Sequence, residues 1–193
     1  LCDTHAITEV MVRYGRADDA RVKAALRRME ADLCDTAQGK AWPCIPDPVS
    51  GFRGPGRKGD FCPQVTLEAL RTFARLPKPQ RPKGLLETAR VSLRAWRMRG
   101  EEKPYMFGHG LHFKTVKWPT FWYDLHLLLD TLGRYPDLWQ GKQARAEDRR
   151  ALAELVACLI AYNFDATGRV TPHSCYRGFE TFSFGQKKHS SPF

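Results

Sequence analysis

The sequence lacks several features that mark particular classes of protein. No apolar run approaches the ~18 residues that a membrane-spanning helix requires, and the first residues, LCDTHAITEV, lack the basic start and apolar stretch of a signal peptide. The six cysteines are irregularly spaced and form no C-x-x-C pair. We therefore expect a reduced, cytoplasmic protein without a membrane span. The missing initiator Met indicates a piece of a longer chain.

The chain is strongly basic, with a formal net charge of +10 over 193 residues. Such an excess of positive charge allows an anionic partner. The Lys and Arg residues are scattered, however, and no run of five or more occurs. Zinc-finger and RNP signatures are also missing. We therefore expect no specific nucleic-acid binding, and the charge is compatible with a solvated basic surface.

The positive pattern in the sequence is helical periodicity. Apolar residues recur at a spacing of 3.6 residues, whereas strand-like alternation is nearly absent. Gly/Pro-rich loops separate the periodic segments. The pattern predicts an all-α fold in a single domain over 1–193, with helices at 4–14, 18–33, 63–75, 84–98, 120–135 and 147–162.

The chain also repeats itself. Gly39 and Gly168 lie 129 positions apart, as do Pro43 and Pro172, and GRKGDFCP at 56–63 aligns with GQKKHSSP at 185–192 in the same register. A weaker register of 60 aligns Cys2, Ile7 and Val10 with Cys62, Leu67 and Leu70. The repeating unit is therefore a helical hairpin. Hairpin units are expected at roughly 1–35, 62–99 and 119–163, with the next unit starting near 190.

The loops that follow the second helix of a unit share a sequence pattern. DTAQGKAWP from Asp35 to Pro43 resembles the Q-x-x-x-G-x-W and D-G-x-W turns of the terpene cyclase and protein prenyltransferase β-subunit superfamily. WPTFWYDLHLLLDTLGRYPD at 118–137 is similar to its bacterial prenyltransferase-like members. The resemblance implies an α/α toroid, in which inner and outer rows of helices surround a central apolar cavity. Because a closed ring takes about six hairpins, the chain is expected to form an incomplete ring.

The resemblance implies two kinds of catalytic site. Terpene cyclases of the proton-initiated class use a D-x-D-D carboxylate cluster, since a protonated acid needs polarising neighbours. This sequence has no D-x-D-D, and its only Asp-Asp pair, Asp18-Asp19, falls at a predicted helix start, where carboxylates stabilise the helix dipole.

Protein prenyltransferases hold zinc with a D-x-C pair and a His from the next hairpin. Asp60 and Cys62 reproduce the D-x-C pair, and zinc accepts both ligand types. The equivalent position for the His, at about 120–122, reads Thr-Phe-Trp, and His126 comes one turn later. The alternative is structural: Asp60 caps the helix that begins at 63, and Cys62 is a small buried residue.

Cations precede the start of two predicted inner helices. Diphosphate binding at a helix N-terminus uses such cations together with backbone N–H groups. The candidate residues for binding an anion or a diphosphate are Arg57, Lys58, Lys187 and Lys188. The alternative is that these side chains are simply solvated.

An aromatic cluster, Phe121, Trp122 and Tyr123, together with Trp96 and Trp118, could line an apolar cavity for an isoprenoid or another lipid-like molecule. At helical spacing the same residues would equally form core. Two functional hypotheses follow. The chain is a prenyltransferase- or cyclase-like protein that binds or converts an isoprenoid or another lipid-like ligand, or it is a non-catalytic repeat scaffold that binds a protein or an anionic ligand. A protein partner or a homo-oligomer is compatible with either.

Overall fold

The computed structural model describes residues 2–51, 57–103, 111–118, 123–170 and 174–175. The fold is mostly helical, which confirms the predicted class at that level. The α-helices are α1 Cys2–Arg13, α2 Ala20–Ala31, α3 Pro63–Ala74, α4 Leu85–Arg97, α5 Leu111–Lys114, α6 Leu125–Leu132 and α7 Ala146–Asn163. Single 3₁₀ turns span Lys78–Gln80 and Pro136–Leu138. The strands are β1 Cys34–Thr36, β2 Gly39–Ala41, β3 Lys117–Trp118 and β4 Ser174–Cys175.

Helix α6 is shorter than its sequence pattern predicts. The other predicted helices begin and end within two residues of their expected positions, but the predicted start of this one at 120 is wrong. Asp124 lies before the helix in an extended conformation and is its N-cap. Its Oδ1 accepts a 2.9 Å hydrogen bond from the N–H of Leu127, which satisfies a donor that the first helical turn leaves without a partner. The apolar pattern of the sequence therefore begins before the helix does.

The helices pack as hairpins that lie side by side. Helix α1 contacts α2 and α3, α3 contacts α6, and α4 contacts α7. Contacts also join α3 to α4 and α6 to α7, within each hairpin. The helices α1, α3 and α6 are thus successive neighbours in one row, with α4 and α7 adjacent in a second.

Helix α3 is at the centre of the described packing. Ten of its twelve residues are buried, among them Leu67, Leu70 and Phe73. Its buried residues also include Gln64 and Glu68, which lie one turn apart. A helix buried on nearly every side must satisfy such polar groups with partners from its neighbours.

A short β-hairpin forms the turn that follows α2. Strand β1 pairs with β2 in antiparallel register, and Thr36 lies opposite Gly39. Gly39 has a φ of +131°, and a Cβ at this position would lie 2.9 Å from Cγ2 of Val91 on α4. Only glycine fits this backbone conformation and this close approach to the neighbouring helix. The hairpin is a local departure from the all-α expectation.

Candidate functional site

The D-x-C pair lies in a loop that is held by hydrogen bonds. The carboxylate of Asp60, which is buried, accepts from Nε2 of Gln38 at 2.9 Å and from Nε of Arg57 at 2.8 Å. Gln38 completes the arrangement, since its Oε1 accepts a 3.1 Å bond from the N–H of Phe61. Both oxygens of Asp60 are therefore engaged with side chains of this chain.

The expectation that Asp60 caps α3 is wrong. Helix α3 begins at Pro63, and the N-cap residue is Cys62, whose side chain makes no capping hydrogen bond. Proline at the first helical position has no N–H, so one of the donors that a helix start leaves without a partner is missing there. Asp60 instead connects its own loop to the β1–β2 turn through Gln38.

Trp42 joins the same turn to two helices. Its Nε1 donates a 2.6 Å hydrogen bond to the carbonyl oxygen of Met29 on α2, and its ring stacks on Phe73 of α3 at 6.0 Å. Its carbonyl oxygen accepts a 2.7 Å bond from the N–H of Cys62. This aromatic residue is fully buried between α2 and α3.

A cavity of about 510 Å³ lies beside the D-x-C loop, and its walls carry charges of both signs. Arg57 pairs with Asp60, and its Nη2 donates to the carbonyl oxygen of Glu102 at 2.8 Å. The cavity is lined by Ala37, Gln38, Arg57, Lys58, Asp60, Glu101 and Glu102. Of the predicted anion-binding cations, Arg57 and Lys58 are thus on one wall. Lys187 and Lys188 lie outside the described residues.

Asp60 and Cys62 are not joined by a third zinc ligand among the residues that the structure describes. Within this part of the chain, no group of three or more His, Cys, Asp and Glu side chains is arranged to hold a metal ion. Asp60 accepts from Gln38 and Arg57 instead. His126 lies in the first turn of α6, rather than one turn into it, because that helix begins only at Leu125.

Tyr123 is the member of the predicted aromatic cluster that the structure describes. Its side chain is buried, with its ring 5.9 Å from that of Phe113, which is 6.2 Å from Trp96. Its N–H donates a 2.7 Å bond to Oε1 of Gln64. Tyr123 is thus packed against core aromatics. Phe121 and Trp122 lie outside the described residues.

Sequence reasoning missed a polar stripe on α3. Gln64, Glu68, Arg71 and Arg75 follow one another at intervals of four, three and four residues, which places them on one face of the helix. Nε2 of Gln64 donates to Oε1 of Glu68 at 2.6 Å, and Arg71 faces carboxylates of α1 and α6. The spacing of these polar residues within an otherwise apolar helix could have revealed the stripe.

His5 is a buried titratable group on α1. Its ring nitrogen Nδ1 lies 3.3 Å from the carbonyl oxygen of Val65, and its ring meets the edge of Trp42 at 6.4 Å. Its Nε2 is buried without a hydrogen-bond partner. Burial lowers the pKa of His5 to about 4, so the ring is neutral at pH 7.

Both ends of the described helix array present apolar side chains to solvent. At one end, Ile7 and Val10 of α1 and Tyr14, which directly follows that helix, are 63%, 48% and 77% exposed. At the other end, the α7 face comprises Val156 and Ile160 of α7 and the C-cap residue Phe164, which are 44%, 53% and 42% exposed. We call these two surfaces the α1 face and the α7 face. Large exposed apolar patches on a folded domain commonly mark sites of protein association.

The comparisons with known proteins give no family assignment: no family model, no curated protein and no solved structure matches the chain. In the part of the chain that the structure describes, no helix is both long and apolar enough to cross a membrane.

Proposed function

We propose that this chain is an α/α-toroid-type repeat protein, related to the terpene cyclases and prenyltransferases, that serves as a binding scaffold. Its binding surfaces are the α1 face and the α7 face, and the occupant of each is the opposite face on a second copy of the chain. The observation that carries the proposal is the exposure of apolar side chains at both ends of one helix array.

The internal repeat supports this role for the α1 face. In the register of 60, Ile7 and Val10 align with Leu67 and Leu70. Both leucines are fully buried in α3, which has a neighbour in the row on each side. Ile7 and Val10 are aliphatic, like the buried leucines with which they align. The α1 face is therefore suited to packing against another helix.

The α7 face is equally suited to helix packing. No charged residue occurs from Leu155 to Phe164, and its apolar members recur at intervals of four residues. The exposed alanines Ala153, Ala157 and Ala161 recur at the same spacing on the neighbouring helix positions and allow a helix to approach closely. Burying one side chain of the Val or Ile type stabilises a contact by ~1.5–3 kcal/mol.

The two faces differ, so pairing α1 of one copy with α7 of another is a heterologous contact. Two copies can make this contact twice and close on each other.

The proposal is tested by the mass in solution, measured by light scattering during size-exclusion chromatography. We expect a species of twice the 22.1 kDa chain mass. Ile160→Asp and Val10→Asp each place a charge in the apolar contact and should give monomer. The matched control is Val49→Asp, since Val49 is 95% exposed in a loop. A wild-type chain that is monomeric at high micromolar concentration would overturn the proposal.

A second candidate function is binding of an isoprenoid diphosphate in the 510 Å³ cavity beside Lys58. The test is the thermal shift that farnesyl diphosphate produces. If the cavity is the site, Lys58→Gln reduces the shift, and the control Lys142→Gln, at an exposed loop position, leaves it unchanged. No shift with the wild-type chain rejects this candidate.

Zinc held by Asp60 and Cys62 stays a prediction of the resemblance. Mass spectrometry of protein purified without chelator measures it directly. Stoichiometric zinc that is lost in Cys62→Ala would support the prenyltransferase-like function, and a zinc-free wild-type protein would remove that support.

A further inference from the structure

Three arginines and two carboxylates meet where helices α1, α3 and α6 adjoin, and we call this group the arginine cluster. Arg71 and Arg75 extend from α3, and Arg134 follows α6. Glu9 comes from α1 and Asp130 from α6. Arg71 lies 3.5 Å from a carboxylate oxygen of each acid, Arg75 lies 3.2 Å from Glu9, and Arg134 lies 3.0 Å from Asp130. One positive charge in the cluster is therefore left without a matching carboxylate.

The donors of Arg71 are only weakly used. Its two ion pairs are both 3.5 Å long, which is beyond the usual length of an N–H···O hydrogen bond. Its Nε is buried and makes no hydrogen bond, and the same holds for Nε of Arg134. Burial lowers the pKa of Arg71, and the charges of Arg134 and Arg75 lower it further, against the effect of Glu9 and Asp130. Such buried donors call for an acceptor.

Arg90, in a second arginine network of the same chain, is an arginine whose donors are all engaged. Arg90 of α4 donates from Nε to Asp148 at 2.7 Å and from Nη2 to the carbonyl oxygen of Gln143 at 2.5 Å, and its Nη1 pairs with Glu87. Although burial acts to lower the pKa of Arg90, its hydrogen bond with Asp148 and the charge of Glu87 outweigh that effect and raise it. All three guanidinium nitrogens of Arg90 thus have partners, whereas Nε of Arg71 and Nε of Arg134 make no hydrogen bond.

We propose that the arginine cluster is a binding site for a phosphate group. A tetrahedral oxyanion supplies several acceptor oxygens and a negative charge, which match the spare donors and the unmatched positive charge. Guanidinium groups suit this ligand because their planar forks bind phosphate oxygens in pairs. The site is separate from the cavity beside the D-x-C loop, where the carboxylate of Asp60 already pairs with Arg57.

Asp130 is the group that the phosphate displaces. Its side chain is 37% exposed, the most accessible of the five, and its two oxygens accept from Nη2 of Arg134 at 3.0 and 3.1 Å. Glu9, at 8% exposed, is buried between Arg71 and Arg75 and stays in place. The phosphate therefore enters from the Asp130 side and competes with that carboxylate for Arg134 and Arg71.

Because phosphate and Asp130 compete for the same arginines, one variant should bind phosphate more weakly than the wild type and another more tightly. Calorimetric titration with inorganic phosphate, at constant ionic strength, measures binding to the wild-type chain and to variants. Arg134→Gln should weaken binding about tenfold, because it removes a charged donor. Asp130→Asn should tighten binding about tenfold, since the competing charge is gone. Arg134 is chosen over Arg71 because it is more exposed, so its loss disturbs the core less.

The matched control is Arg145→Gln, which removes one positive charge at an exposed arginine that pairs with Glu87 elsewhere. This control should bind phosphate as the wild type does. Equal weakening in Arg145→Gln and Arg134→Gln would show attraction by net charge alone and would overturn the site. No phosphate binding by the wild-type chain, no tightening in Asp130→Asn, or acetate binding as tightly as phosphate would also overturn it. Circular dichroism of each variant confirms that it is folded.

Discussion

Nε2 of Gln38 donates a 2.9 Å hydrogen bond to Oδ1 of Asp60, across 22 positions of the chain. The bond connects the turn that follows α2 with the loop that precedes α3. Since the amide of Gln38 also accepts from the N–H of Phe61 at 3.1 Å, one side chain holds both segments in register. The D-x-C carboxylate is thereby part of a structural connection between successive hairpins.

Gln38→Ala should therefore destabilise the fold by about 1–3 kcal/mol, because the variant leaves a buried carboxylate oxygen and a buried N–H without this partner. Urea denaturation followed by circular dichroism measures the free energy of unfolding. The control is Gln140→Ala, at an exposed position, which should change stability little. Equal effects of the two substitutions would contradict the structural role of Gln38.

Gly39→Ala should cost more stability than Gly59→Ala. Both glycines have positive φ, +131° and +91°, so each substitution strains the backbone. At Gly39 the new Cβ would also lie 2.9 Å from Cγ2 of Val91, whereas nothing lies within 4 Å of a Cβ at Gly59. We expect Gly39→Ala to lower the free energy of unfolding by about 1–3 kcal/mol. The difference between its effect and that of Gly59→Ala measures the cost of the contact between the new Cβ and Val91. A larger loss in Gly59→Ala would show that the β1–β2 turn can move away from α4.

Asp148→Asn should be strongly destabilising. Asp148 is 1% exposed and accepts from Nε of Arg90 at 2.7 Å and from Nη1 of Arg97 at 3.3 Å. Removing its charge leaves two arginines with a neutral partner at the α4–α7 contact, at a cost of about 3–5 kcal/mol. Glu147→Gln, one residue earlier and exposed, is the matched control in thermal denaturation. A loss below about 1 kcal/mol in Asp148→Asn would mean that Glu87 and Gln143 suffice to hold Arg90.

His5 should make stability depend on pH between about 4 and 6.5. The pKa of His5 is about 4 in the folded chain against 6.5 as its ordinary value, so the unfolded chain binds the proton first as the pH falls. The contribution of neutral His5 to the free energy of unfolding is complete above pH 6.5. It is lost progressively as the pH falls to 4, by about 3 kcal/mol in total. In His5→Gln this part of the pH dependence of the free energy of unfolding should vanish. Parallel pH profiles of wild type and variant would contradict the burial of a neutral ring.

Most helix positions could be predicted from the sequence because apolar spacing is a local property of each segment. Helices α1 to α4 and α7 follow it closely. Helix α6 does not, since Asp124 is its N-cap and the helix begins only at Leu125, although the apolar pattern starts earlier. The hydrogen bond of the N-cap side chain fixes where the helix begins. The spacing of apolar residues carries no information about that hydrogen bond.

Site residues were less predictable, because a side chain's role depends on partners that are distant in sequence. The D-x-C pair was visible as a motif, but its pairing with Gln38 depends on how the β1–β2 turn folds back. The arginine cluster draws on three helices, and no one segment of the sequence contains it. The polar stripe on α3, by contrast, has a regular spacing and could have been recognised in advance.

The most direct test of the scaffold proposal is photo-crosslinking from the α7 face. A benzoylphenylalanine placed at position 160 is irradiated in the otherwise unchanged chain, and the crosslinked peptides are identified by mass spectrometry. We expect intermolecular crosslinks to the α1 helix around Ile7, Val10 and Tyr14, with a control probe at position 49 giving none. Crosslinks from position 160 only to α7 of another copy, or no intermolecular crosslinks at all, would contradict the head-to-tail association of the α1 and α7 faces.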